Sequence, residues 1–452
     1  MRKESIFNPV VGVICGILLY EVSDTVLYLI QPLLFPTLLR VLGVILILIS
    51  IKKTTTYKIK GIIGGLYKLL IIWSFFILLR GSLVGNYLPG AEPSLMLSVR
   101  TSFLDSYGGM VYLIPLVAIM NFRLNGLFPL RRVALFLCVA SLVFMFIARD
   151  ELVRGMINGG KTSFIDVAGN NVTVRNLIHA AFPGFGLLIF YLFNSNYLKT
   201  KLSVFLPISI FVFFIGYAIG GGRGMTFFSL MYLIMFFYLS TRYSVSVTTT
   251  KKLRGNLLLS KNFVFLILGI SFVSLLVYLY NSTEIFDYVL ERAFGGKTLG
   301  TSVDDDSRDI LVHDMLNDFN ASPFDWIWGR GVNGSYTTNN LSIGGKRAWM
   351  ELSYYYLILK GGVVFLLLFV SCFLHAAYMG CFKSRNLFSK AMGFVCISML
   401  INLASASAIP QFSTFYLISW LSFGLIERKE IREMSDVDIY GYFNIKNYKR
   451  KI

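Results

Sequence analysis

Twelve apolar runs, each long enough to cross a bilayer, constrain this chain more than any other feature. They fall near residues 9–30, 33–51, 62–79, 107–122, 133–148, 176–194, 202–220, 224–241, 262–280, 353–379, 388–407 and 409–426. Roughly 20 apolar residues match the hydrocarbon thickness of a membrane, and lipid obliges each backbone segment to satisfy its own hydrogen bonds, so every run predicts a helix. Composition points the same way. With 56% hydrophobic and 15% charged residues over 452 positions, the chain has too few charges to cover a soluble surface of that size. The expected fold class is an all-α polytopic membrane protein of about 12 transmembrane helices.

The formal charge of +18 would suggest nucleic acid in a soluble chain. In a membrane chain it indicates basic cytoplasmic loops, and nucleic acid is not an expected partner. With the N-terminus inside, 26 of the 42 Lys and Arg lie on the inner side and 13 on the outer, while Arg40, Lys68 and Lys360 fall within spans. Both termini are therefore expected in the cytoplasm, with the first span uncleaved. Cys15, Cys138, Cys372, Cys381 and Cys396 lie in or beside apolar runs without pairing or zinc-ligand spacing. No internal repeat is evident. The chain reads as a single membrane domain, 1–452, with one large external loop, 281–352, and a basic cytoplasmic tail, 427–452.

That loop is where chemistry is expected. Arg308, Leu311, Val312, Met315, Leu316 and Phe319 recur at spacings of three and four, which predicts an amphipathic helix. Asp306 is the expected N-cap, with Asp309 in the capping-box position. Arg308 then lies on the apolar side, either paired with Asp304, Asp305 or Asp306 or receiving a phosphate through its bidentate fork. Arg223, inside Gly220-Gly221-Gly222-Arg223-Gly224, opens the next apolar run. It is either an anion site built from backbone N–H groups or a tight hairpin with a snorkelling arginine. The aromatic and glycine-rich segment from Pro323 to Tyr336 suits a membrane belt or a sugar-stacking platform. Glu351 stands at the start of the tenth run as a dipole-stabilised carboxylate or a proton acceptor, near Tyr354. Arg330 and Arg347 are further candidates, and His313, His179 and His375 are read as solvated or core histidines. Adjacent carboxylates converge poorly on one ion, so no metal site is expected at Asp304 to Asp306.

Taken in order, Gly222-Arg223-Gly224, Asp306-Ser307-Arg308 before an amphipathic helix, the segment ending Gly329-Arg330-Gly331-Val332-Asn333-Gly334, and Glu351 followed by Gly362 resemble the O-antigen polymerase and ligase superfamily over about residues 205–370. The resemblance implies a multi-pass glycosyltransferase of the bacterial inner (cytoplasmic) membrane, acting in O-antigen, capsule or exopolysaccharide synthesis without metal or cofactor. Its implied partners are an undecaprenyl-pyrophosphate-linked oligosaccharide, membrane lipid and a chain-length regulator protein. Arg223 and Arg308 fall on the two arginines that the family sets against the donor pyrophosphate. Glu351, or one of Asp304 to Asp306, would accept the proton. Ligases of the superfamily usually carry His-Asn where this chain has Glu351-Leu352, which leans the reading to a polymerase. The alternatives are a ligase that transfers polymer to a lipid A-core acceptor and, in another class, a lipid-linked oligosaccharide flippase, which the three intramembrane cations would suit.

Overall fold

A computed structural model describes residues 9–29, 34–83, 108–121, 303–338, 345–348, 350, 352–404, 409–436 and 438–439. The apolar runs between 133 and 280, together with Arg223, His179, Cys138 and Glu351, lie outside the described residues. Contacts divide the chain into two compact units, one of residues 1–127, 300–384 and 392–433 and the other of 128–299, 385–391 and 434–452.

In the first unit, helix α1 (Pro9–Leu29) pairs with α2 (Leu34–Lys53) as a hairpin. Gly16 and Gly43 face each other so closely that a Cβ on either would meet the other's carbonyl oxygen, so the small residues are what let the two helices approach. Arg40, one of the three cations expected within spans, donates from Nε to Ser23 Oγ at 3.1 Å and lies 5.5 Å over the Tyr20 ring. Strand β1 (Thr55–Thr56) leads to α3 (Gly61–Leu83).

The run at 107–122 departs from expectation. It forms an eleven-residue 3₁₀ helix, Gly109–Ile119, followed by strand β2 (Met120–Asn121), which pairs antiparallel with β1. Pro115 in its middle supplies no N–H for an α-helical ladder. Its carbonyl accepts from Tyr67 Oη at 2.7 Å, which ties the segment to α3.

Next come α4 (Val303–Asn320), α5 (Pro323–Trp328), the hairpin of β3 (Tyr336–Thr338) and β4 (Gly345–Arg347), then α6 (Ser353–Phe382), α7 (Leu387–Ala404), α8 (Thr414–Ile426) and α9 (Lys429–Glu433). Among the described residues α3 and α6 are long and apolar enough to cross a membrane. Helix α8 is shorter than its apolar run, because 409–413 form a turn with Pro410 before Ser413 caps the helix by accepting from Tyr416 N. The core between α3, α6, α8 and the 3₁₀ helix centres on Trp420, wholly buried against Tyr67, Phe369, Phe373 and Phe423. In the second unit, Leu387 N donates to Asp436 Oδ1 at 2.7 Å and Asn386 Nδ2 to Met434 O at 3.1 Å.

Candidate functional site

Helix α4 is amphipathic as its spacing predicts, with Leu311, Met315 and Phe319 buried against Tyr356, Ile358 and Leu359 at the start of α6. It begins at Val303, three residues before the expected cap. Asp304 to Asp306 therefore occupy the first turn, where the unpaired N–H groups and the helix dipole favour negative charge. The flank of α4 is less solvated than the pattern implies. Asp314 is buried and accepts from Thr338 Oγ1 at 2.7 Å, and Asp318 accepts from Thr337 N at 3.0 Å, so the acidic flank holds the β3–β4 hairpin. His313 is exposed beside Asn317, as expected.

The glycine-rich segment after α5 is bolted into a break in α6. Gly362 has φ 73° and ψ 179°, so the helix is interrupted there, and a side chain at this position would collide with the Ile327 carbonyl. The interruption frees backbone carbonyls, and the loop and α3 take them up. Arg330 N donates to Leu359 O at 2.8 Å, Gly331 N to Lys360 O at 2.9 Å, and Trp73 Nε1 to Gly361 O at 2.7 Å. In return Lys360, only 1% exposed, donates from Nζ to Val332 O at 2.9 Å and Gly334 O at 2.8 Å. Lys360 thus stitches a loop to a broken helix.

Around this joint runs a charge network that sequence spacing gave no reason to expect. Arg330 donates from Nε to Asp325 Oδ2 at 2.8 Å, from Nη1 to Asp318 Oδ2 at 2.5 Å and Ser335 O at 2.7 Å, and from Nη2 to Asp318 O. Arg80, at the end of α3, donates from Nη2 to Asp325 Oδ1 at 2.8 Å and from Nε to Gly329 O at 2.7 Å. Two guanidinium groups thus meet two carboxylates, and the cluster is neutral and heavily hydrogen-bonded. Arg330, a further candidate from the sequence, is held here by Asp325, Asp318 and the Ser335 carbonyl. Asp325 was not singled out from the sequence, although a Gly-flanked arginine five residues after an aspartate was the available signal.

The other expected residues fall in the same region. Arg308 occupies the second turn of α4, at a position continuing the Leu311 and Met315 stripe towards the N-terminus. Arg347 is buried on β4 opposite Tyr336. Tyr354 sits in the first turn of α6, its ring 4.4 Å from that of Tyr355. The described structure therefore gathers α4, the glycine segment and the first half of α6 into one joint.

A second polar cluster lies at the opposite end of α3. Arg428 donates from Nη2 to Met120 O at 2.5 Å and sits 4.8 Å over the Tyr57 ring, while His375 Nδ1 lies 2.9 Å from Glu427 Oε1. Burial lowers the Arg428 pKa and raises that of Tyr57. A cleft of about 890 Å³ opens here, lined by Tyr57, Lys60, His375, Glu427, Lys429 and Arg432 among others. Positive and negative groups alternate around it, so it has no single-sign field for an anionic headgroup.

No family model and no curated protein matches this chain. Among solved structures, a chain from "Structural coordination of polymerization and crosslinking by a peptidoglycan synthase complex" is similar at a TM-score of 0.35 and 16% identity, over 82% of this chain and 98% of that one.

Proposed function

We propose that the protein is a membrane glycan polymerase that joins lipid-linked oligosaccharide repeat units in O-antigen, capsule or exopolysaccharide synthesis. One observation carries the reading. The pieces of the polymerase-like pattern that lie in the described residues are scattered from 303 to 362 in the sequence, yet they pack together, with the Gly329 to Gly334 segment seated in the α6 break at Gly362. Unrelated fragments that merely looked like a motif would have no reason to meet.

In this reading the acceptor sugar hydroxyl attacks the anomeric carbon of the donor glycan. The bond from that carbon to the pyrophosphate oxygen breaks, the glycan moves to the acceptor, and polyprenyl pyrophosphate leaves with the bonding electron pair. Arg223 and Arg308 stabilise the charge on the departing diphosphate. Glu351, or Asp304 or Asp306, takes the hydroxyl proton. Because Arg80 and Arg330 are already committed to Asp318 and Asp325, the donor phosphates are left to arginines outside that network. Two of the cations that would have suited a transporter, Arg40 and Lys360, serve helix and loop packing instead.

Arg308→Lys tests the reading. Lysine keeps the charge but not the bidentate fork, so losing one charge-assisted hydrogen bond costs about 1.5–3 kcal/mol, roughly 10- to 100-fold in rate. Polymer of normal length and amount from this variant, inserted at normal level in cells without another polymerase, would remove Arg308 from the donor site.

A further inference from the structure

We infer that residues 323–334 form a re-entrant element, dipping from the loop side into the membrane with Phe324, Ile327 and Trp328 against lipid hydrocarbon. The inference rests on reading α3 and α6 as membrane spans, and three observations carry it.

The first is depth. Helix α3 has 23 residues, a length of about 34 Å, which matches the hydrocarbon core. Trp73 lies near its middle, about 15 Å below its loop-side end. Trp328 stacks on Trp73, with ring centroids 5.1 Å apart and planes within 7°, and lies 5.4 Å from the Phe76 ring. Val332 N donates to Ile77 O at 3.2 Å, which places the glycine segment alongside the body of α3.

The second is polarity. A loop helix in water turns its carboxylates out and its aromatics in, and α5 does the reverse. Phe324, Ile327 and Trp328, at spacings of three and four, are 77%, 48% and 38% exposed. Asp325, on the same short helix, points inward to Arg80 and Arg330 with 13% of its side chain exposed. Water would penalise that arrangement and hydrocarbon favours it. Helix α3, on whose Trp73 the Trp328 ring stacks, likewise exposes Ile72, Phe75 and Leu79, so a single occupant, the bilayer interior, suits both.

The third is backbone satisfaction. Irregular backbone at membrane depth survives where protein supplies its hydrogen bonds. The bonds from Arg330 N, Gly331 N, Val332 N, Trp73 Nε1 and Lys360 Nζ do so on both sides of the joint. In the same region Arg80 and Arg330 are paired with Asp325 and Asp318, so these four charges are compensated within the protein.

The test places the photoreactive residue benzoylphenylalanine at single positions of the full-length protein, reconstituted in vesicles of phosphatidylethanolamine and phosphatidylglycerol. Irradiation is followed by mass spectrometry of the crosslinked peptides. Lipid adducts are expected at positions 324 and 327, as at position 72 on α3, and not at position 313 on the exposed side of α4. Lipid adducts at 72 with none at 324 and 327, whether those positions meet water or another protein segment, overturn the re-entrant element while leaving the membrane reading intact. Absence of adducts at 72 as well would overturn the membrane reading on which it rests.

Discussion

Replacing Arg330 with Met removes the hub of the charge network and leaves most of its packing volume. The wild-type guanidinium, 8% exposed, bonds two carboxylates and two carbonyls and lies 4.7 Å over the Phe319 ring. Removing one partner of a buried pair costs about 3–5 kcal/mol, because the orphaned charge keeps its desolvation penalty. Here the low end applies. Asp318 keeps 24% exposure and so some hydration, and Asp325 keeps Arg80. A loss of about 3 kcal/mol corresponds to a change on the order of 100-fold in the opening equilibrium of the joint. Amide hydrogen exchange reads that equilibrium directly at Gly331 and Val332, whose N–H groups bond Lys360 O and Ile77 O. Exchange there should rise by up to that factor, while amides in the α1–α2 hairpin stay as they were. Arg330→Lys should recover about half the effect in free energy, since a lysine can reach one carboxylate but cannot fork between two. Unchanged protection at Gly331 and Val332 in the Met variant would show that the network is incidental to holding the loop.

Further outcomes follow from the same geometry. Gly362→Ala forces a left-handed φ on a residue with a Cβ and drives that Cβ into the Ile327 carbonyl, so the strain alone costs about 1–3 kcal/mol. The variant should insert normally but lose polymer and become protease-sensitive between 323 and 334, and an active, protease-resistant variant would contradict the docking. Burial raises the Asp436 pKa although Leu387 N and Lys390 oppose it. The folded chain thus holds the proton more tightly than the unfolded one, a stabilisation that is full below the ordinary carboxylate pKa and lost as pH rises through the folded value. Asp436→Asn, which does not titrate, should therefore gain thermal stability relative to wild type as pH rises above the ordinary carboxylate range, and a gain by wild type instead would reverse the sign. A cysteine at exposed Ala321 should react with an impermeant maleimide in intact spheroplasts and one at exposed Lys383 should not, the inverse pattern overturning the N-in arrangement.

Among the described residues, helices were legible where a long apolar run was uninterrupted. Runs at 9–30, 33–51, 62–79, 353–379 and 388–407 coincide within a few residues with α1, α2, α3, α6 and α7. Proline decided the exceptions, Pro115 by removing a central N–H and Pro410 by lying in the turn that delays α8. The apolar face of α4 was visible from spacing, but the burial of Asp314 was not, since its partner Thr338 lies 24 residues away on a hairpin. Arg80 and Asp325 are separated by 245 residues, and no local periodicity connects them. The break in α6 hides inside an apolar run, because Gly361-Gly362 at membrane depth reads as ordinary close packing until the loop that fills it is seen.

The reaction proposed for this membrane protein is glycosidic bond formation between lipid-linked oligosaccharides. Its most direct test is to supply the purified protein, in vesicles, with polyprenyl-pyrophosphate-linked repeat units and EDTA, and to measure both glycan length and free polyprenyl pyrophosphate. The expected products are a ladder of longer lipid-linked glycans and one polyprenyl pyrophosphate released for each bond formed, with both lost in Arg308→Lys. Repeat units that cross the vesicle membrane at unchanged length, with no diphosphate released, would contradict it and establish a transporter.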